Sequence, residues 1–243
     1  MEQYKKIDSV KMAEGQGATV NRLFPTKNYN QHHDPFVLMD EFMVEAPAKF
    51  SEHEHRGFEA ITYMLEGSFV HNDNQGNNSE IKKGGVQAFN AGKSIFHSEK
   101  PGKTKNSHGI QLWVNLPPDK KKSDPYYQKL EQAPVVTNNS GIKIREIFGE
   151  SSPLKIHTEL NYLDIELKAD KNYNSRLDPD KTGILYLFTG KLSINQNPVE
   201  PQQGLLLPKG AEFKIAAQEN SRFFLISGQP HNQNINIKGS FVE

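Results

Sequence analysis

Apolar residues in this chain alternate with polar ones or come in short runs. Gly, Pro, Asn and Asp cut those runs before a helical period can establish itself. Ala60-Ile-Thr-Tyr-Met-Leu65, Ile110-Gln-Leu-Trp-Val-Asn-Leu116, Gly183-Ile-Leu-Tyr-Leu-Phe188 and Arg222-Phe-Phe-Leu-Ile226 are all of strand length. Asn72-Asp-Asn-Gln-Gly-Asn-Asn78 is the strongest turn signal, because Asn, Asp and Gly tolerate left-handed backbone angles. Convincing helical stretches are scarce. Strands at short, regular spacing predict an all-β sandwich or barrel.

At 243 residues the chain has room for one to two domains. The segment from Leu116 to Pro134 is rich in Pro and charge and reads as a linker, including the Lys120-Lys-Lys122 run as a solvated stretch. The expected division is therefore 1–134 and 135–243. Tyr63-Met-Leu-Glu-Gly67 is echoed by Tyr186-Leu-Phe-Thr-Gly190, and each is followed by a polar strand, an Asn-rich turn and a Gly-containing turn. The same order of events twice predicts a duplicated β-barrel.

Composition removes several kinds of chemistry. With 29 basic and 29 acidic residues the net charge is zero, so the chain lacks the basic excess of a nucleic-acid or anionic-membrane binder. It has no cysteine, which excludes disulfides, thiolate metal sites and a Cys nucleophile. The first residues form no apolar run and no stretch is long enough for a spanning helix, so a cytoplasmic location is expected.

Any metal must then be held by His, Asp or Glu. Seven of nine histidines fall in the first half or just beyond it. His53 and His55 flank Glu54, and His97 and Glu99 flank Ser98. Residues two apart on a strand share a face, so two strands could aim three imidazoles and one carboxylate into one barrel. Such a set suits Fe(II), Mn(II), Ni(II), Cu(II) or Zn(II). Glu59 has the same parity as His53 and His55, and spacing alone does not choose between it and Glu99. His71 and His108 read as isolated surface or core-edge residues, His32-His33 as an exposed loop pair, and Arg56 as half of a structural ion pair. Gln111 and Trp113 share a face.

The motifs His53-Glu-His-Arg-Gly-Phe-Glu59, Thr62-Tyr-Met-Leu-Glu-Gly67, Gly85-Val-Gln87, Asn90-Ala-Gly92 and Ile95-Phe-His-Ser-Glu99 resemble the signature of the pirin family within the cupin superfamily. Asp34-Pro-Phe-Val-Leu-Met-Asp-Glu-Phe42 and Gln111-Leu-Trp-Val-Asn-Leu-Pro117 extend the match to about residues 15–130. The resemblance implies a bicupin, two jelly-roll barrels of the double-stranded β-helix type packed face to face. It implies one metal ion, usually iron as Fe(II), in the N-terminal barrel, with His53, His55, His97 and Glu99 as ligands. The second barrel is expected to be metal-free. Where the family commonly reads His-Pro-His this chain has Glu54, expected to face away from the metal. Ala88-Phe89 stands where Trp-Met is frequent, which reshapes the pocket.

The resemblance also implies a function. Pirins similar to quercetin 2,3-dioxygenases open the central ring of a flavonol with dioxygen and release carbon monoxide, and here Glu99 would be the general base. The alternative is a non-enzymatic, iron-dependent, redox-sensing regulator or transcriptional cofactor that binds a protein partner. Direct contact with nucleic acid or membrane is not expected.

Overall fold

The computed structural model describes residues 4–243. Its regular structure is strand, apart from one 3-10 turn at Pro118–Lys120 among the described residues. No helix is long and apolar enough to cross a membrane.

Along the chain run β1 (Lys5–Asp8), β2 (Val10–Glu14), β3 (Ala18–Phe24), β4 (Phe36–Glu45), β5 (Phe50–His55), β6 (Phe58–Asp73), β7 (Asn78–Lys82), β8 (Val86–Asn90), β9 (Ile95–Pro101), β10 (Asn106–Asn115) and β11 (Tyr126–Leu130). They are followed by β12 (Val135–Asn139), β13 (Ile142–Phe148), β14 (Leu160–Leu167), β15 (Asn172–Arg176), β16 (Thr182–Thr189), β17 (Leu192–Ile194), β18 (Asn197–Val199), β19 (Gln203–Leu207), β20 (Glu212–Ala217) and β21 (Ser221–Gly228). A short hairpin, β22 (Ile237–Lys238) and β23 (Phe241–Val242), completes the order.

The strands form two compact units, neither of them one continuous stretch. The first takes residues 10–133, 154–158 and 231–243; the second takes 4–9, 134–153 and 159–230. A single cut at 134/135 leaves these exchanges out.

In the first unit the main sheet runs β11-β8-β6-β10-β4-β3-β2, all antiparallel. β6 is long because it serves two sheets. Its first half pairs with β8 and β10, and its second half with β7 and β9. The corner is Gly67, at φ +74°, where a Cβ would lie 2.1 Å from the Asn106 carbonyl oxygen. Only glycine fits such a bend. β5 then pairs with the far side of β9 and curls the structure into a barrel.

The second unit repeats the plan as β1-β19-β16-β21-β14-β13-β12, with β15-β20-β17-β18 as its smaller sheet. Tyr186 sits on β16 as Tyr63 sits on β6, and Gly190 at φ +91° stands where Gly67 does. The duplication expected from the two Tyr-to-Gly motifs is therefore present in strand order. One expectation fails. Residues 116–134 are more than a linker, because Tyr126–Leu130 adds a strand to the edge of β8. Its side chains have fixed partners inside the first unit: Tyr126 donates to Glu59, and Tyr127 stacks on His71.

Candidate metal centre

β9 lies between β5 and β6, and the registers set the site. His53 stands opposite His97 across β5 and β9, while Asp73 faces His97 and His71 faces Glu99 across β9 and β6. Opposed residues of an antiparallel pair share a face. The result is a cluster of three rings: His53 Nε2 is 2.9 Å from His55 Nε2 and 3.1 Å from His97 Nε2.

Hydrogen bonding fixes which ring nitrogens are bare. His53 Nδ1 lies 2.7 Å from the Ser51 carbonyl oxygen and His55 Nδ1 lies 3.2 Å from that of Ser240. A carbonyl oxygen only accepts, so each Nδ1 carries a proton, and in the tautomer that this fixes the lone pair of the ring lies inward at Nε2. Two lone pairs 2.9 Å apart repel unless a cation stands between them. His97 Nδ1 is 3.3 Å from His71 Nδ1, and His71 donates from Nε2 to Asp73 Oδ2 at 3.0 Å. His71 Nδ1 can accept from His97 Nδ1 only while His71 is neutral with its proton on Nε2; in that state His97 Nε2 supplies a third lone pair. Imidazole ligands anchored through their outer nitrogen are the arrangement that orients a metal-binding histidine. Burial, reinforced by its neighbour His53, pulls the pKa of His55 down to about 3. Burial also holds His97 well below the usual range, with His55, His53 and His71 adding to the effect. Both rings are therefore neutral at pH 7. His71 is different: burial lowers its pKa, but Glu99 and Asp73 outweigh that and raise it.

Glu99 stands apart from the three-ring cluster. Its carboxylate groups with His71 and His97, their potential ligand atoms all within 4.8 Å of one another. Gln87 donates to Glu99 Oε1 at 2.6 Å and Gln111 to Oε2 at 3.4 Å. These amides belong to a row of polar side chains crossing the main sheet, in which Arg22 faces Asp40, Asp40 faces Gln111, Gln111 faces Thr62 and Thr62 faces Gln87. Apolar rows flank it, Leu38-Trp113-Ala60-Phe89 on one side and Phe42 and Met64 about Gly109 on the other.

A cavity of about 320 Å³ opens on His53, His55 and Glu99, walled by Leu38, Phe42, Phe50, Phe69 and Trp113 and by Ile237, Gly239 and Ser240 of the C-terminal segment. That segment is tied down beside the ligand strand. Val242 N donates to the Arg56 carbonyl at 2.9 Å, and the Arg56 guanidinium lies 3.9 Å from the Phe241 ring centroid. Gly57, at φ +80°, has the Val242 oxygen 1.9 Å from where a Cβ would be, so the approach requires glycine. Lys121 donates to the carbonyls of Gly57 at 2.8 Å and Val242 at 3.2 Å and to Asn115 Oδ1. The expectation of a solvated Lys120–Lys122 run fails at its middle residue, since Gly57 and the returning C-terminal segment supply carbonyl acceptors that the local sequence does not reveal.

The structure thus brings His53, His55 and His97 together and sets Glu99 on the adjoining row. Glu59 is elsewhere, fully buried and bonded to Tyr126 and to the backbone and ring of His157. Glu54 points away, accepting from Ser94 and pairing with Arg56. Sequence reasoning missed His71, which is fully buried against Tyr127 and Phe89. It also missed Asp73, Gln87 and Arg22. Only His71-x-Asp73, a same-face pair like the other two, carried a usable signal.

Two antiparallel barrels, one of them with converging imidazoles open to a cavity, define a bicupin with a candidate metal centre. The pirin family model matches residues 17–114, and the model of the pirin C-terminal cupin domain matches residues 162–243. A pirin-like protein of Arabidopsis thaliana is 33% identical, the match covering 98% of this chain and 83% of the relative. Human pirin is 32% identical, with 96% and 84% covered. The chain belongs to the pirin family. Among solved structures, a quercetin 2,3-dioxygenase from Acinetobacter baumannii superposes with a TM-score of 0.88 at 27% identity, covering 98% of this chain and 90% of that one.

Proposed function

We propose that this protein is a metal-dependent dioxygenase of the quercetin 2,3-dioxygenase type, cleaving the central ring of a flavonol-like substrate. One observation carries the reading: three imidazole nitrogens converge at the wall of an aromatic-lined cavity, beside a carboxylate held by two amides. The likeness to the Acinetobacter enzyme supports it.

In this reading His53, His55, His97 and Glu99 hold one divalent ion, Fe(II) first, with Mn, Ni, Cu or Zn as substitutes. When bound, the ion lowers the pKa of the substrate hydroxyl and brings substrate and dioxygen to one centre. The rest falls to the chain. The apolar walls exclude water and pack the flavonol rings. Glu99 takes the proton of the 3-hydroxyl, and Gln87 and Gln111 keep its two oxygens aimed while it does so. The substrate gains both oxygen atoms and loses carbon monoxide, so the proton on Glu99 returns to the carboxylate product or to water.

The test is oxygen-dependent quercetin consumption by apo-protein reloaded separately with Fe(II), Mn(II), Ni(II) and Cu(II), with His97→Ala as control for free-metal chemistry. Turnover restored by one metal and abolished in His97→Ala is the expected result. Reloaded samples that all match the variant contradict the proposal, and iron-dependent binding of a protein partner then becomes the reading to test. Glu99→Gln is expected to cut turnover at least about tenfold, within the range general-base removal produces, while leaving most of the metal bound. Equal losses of both contradict its role as base.

A further inference from the structure

The polar row beneath the cavity does not stop at the amides that hold Glu99. It continues through Asp40 to Arg22, at the far edge on β3. Arg22 donates from Nε to Asp40 Oδ1 at 2.8 Å, and from Nη2 to Asp40 Oδ2 at 2.7 Å and Glu14 Oε2 at 2.9 Å. Those three bonds use the Nε proton and both Nη2 protons. The two protons of Nη1 have no partner among the described residues. Arg22, Asp40 and Glu14 line the same cavity as His53, His55 and Glu99.

A guanidinium fixed in its plane by two carboxylates, with one edge left over, is a receptor for an acceptor oxygen. A purely structural role explains this poorly. An ion pair inside an apolar barrel can usually be exchanged for hydrophobic residues without loss of stability. In the second unit Leu163 stands at the position matching Asp40, and the residue opposite it on β13, matching Arg22, is Glu146, so the frame does not require this ion pair.

We infer that Arg22 is the specificity-determining residue of the cavity, its Nη1 edge receiving a phenolic or carboxylate oxygen at the end of a planar aromatic substrate remote from the histidines. This rests on the flavonol reading and deepens it. The cavity selects aromatics oxygenated at both ends over those oxygenated only at the reacting end.

The experiment is anaerobic binding to the Fe(II)-loaded protein, followed through the flavonol absorption band, with two probes. Quercetin carries hydroxyls on both outer rings. 3-Hydroxyflavone keeps the 3-hydroxy-4-keto head and lacks the others. Wild type is expected to bind quercetin at least about tenfold more tightly, the scale of a charge-assisted bond. Arg22→Lys preserves a cation beside Asp40 but loses the guanidinium edge. It is expected to bring the two affinities within about threefold by weakening quercetin alone, with metal content unchanged. An Arg22→Met/Asp40→Leu pair removes the buried partners together, leaves only the solvent-exposed carboxylate of Glu14 without its arginine, and is expected to do the same. Equal weakening of both probes, a ratio that survives in both variants, or equal affinities in wild type would each overturn the assignment. Failure of wild type to bind either flavonol has a different signature: it overturns the dioxygenase reading, and the Arg22 assignment with it.

Discussion

The two barrels share a strand order and differ in how one interior row is filled. In the first, Asp40, Gln111, Thr62 and Gln87 stand opposite one another across β4, β10, β6 and β8. In the second, Leu163, Leu225, Leu185 and Leu205 stand across β14, β21, β16 and β19. Both rows are built on the same curled antiparallel frame, so the backbone does not demand either. An all-leucine row needs no partners beyond packing, and it belongs to a cluster with Leu187, Phe213, Ile215 and Phe223. A row of amides and carboxyls is stable only while each group is bonded. The first barrel keeps such a row where it runs beside His53, His97 and Glu99, which makes the polar row a feature of the site and the leucine row a feature of the core.

This contrast can be broken from either side. The largest effect is expected from Leu225→Gln, which places an amide among leucines with no partner in reach. The loss of burial and the unsatisfied polar group together should cost about 3 kcal/mol of stability, read from denaturant unfolding. Metal content should stay at the wild-type level. The reverse exchange, Gln111→Leu, removes a long, weak bond to Glu99 and the acceptor of Trp113 Nε1, and should cost about 1 kcal/mol of stability, the scale of one such bond. Its main cost should appear in quercetin turnover. A Gln111→Leu protein as active as wild type would show that the row has no part in the site. A comparable effect is expected from Lys121→Met, which releases the Val242 and Gly57 carbonyls from the clamp beside β5. About 1–2 kcal/mol is expected for this partly buried group. Metal should also be lost faster to a chelator, since the Ser240 carbonyl that orients His55 lies in the same tethered segment.

Much of this is legible in the sequence itself. Runs such as Gly183–Phe188 and the Asn72–Asn78 turn carry strand and turn chemistry locally, and both are found as expected. The duplicated Tyr-to-Gly motif is local as well. Same-face placement of His53 with His55, and the outward turn of Glu54, follow from a two-residue period. What stayed hidden depends on long-range register. His71 reads as an isolated histidine until β6 is known to bend at Gly67 and run beside β9, which sets it opposite Glu99. Arg22 is one arginine on an ordinary strand until β3 is paired with β4 and Asp40 is found across from it. Lys121 sits in a charged run, and two of its acceptors are backbone carbonyls distant in the chain, Gly57 and Val242. Spacing alone leaves Glu59 open for the same reason. Its parity matches that of His53 and His55, but its partners are Tyr126 and His157.

The central claim is that one barrel, through three named imidazoles, holds the metal. The most direct test is metal stoichiometry and affinity measured side by side on wild type and on the His53→Ala, His97→Ala and Leu225→Gln variants, each stripped and retitrated with Fe(II) under anaerobic conditions. The account predicts about one ion per chain in wild type and in Leu225→Gln. It predicts a loss of affinity of at least about a hundredfold in either histidine variant, more than removing an outer partner alone would cause. Binding of undiminished strength and stoichiometry in His97→Ala would contradict it.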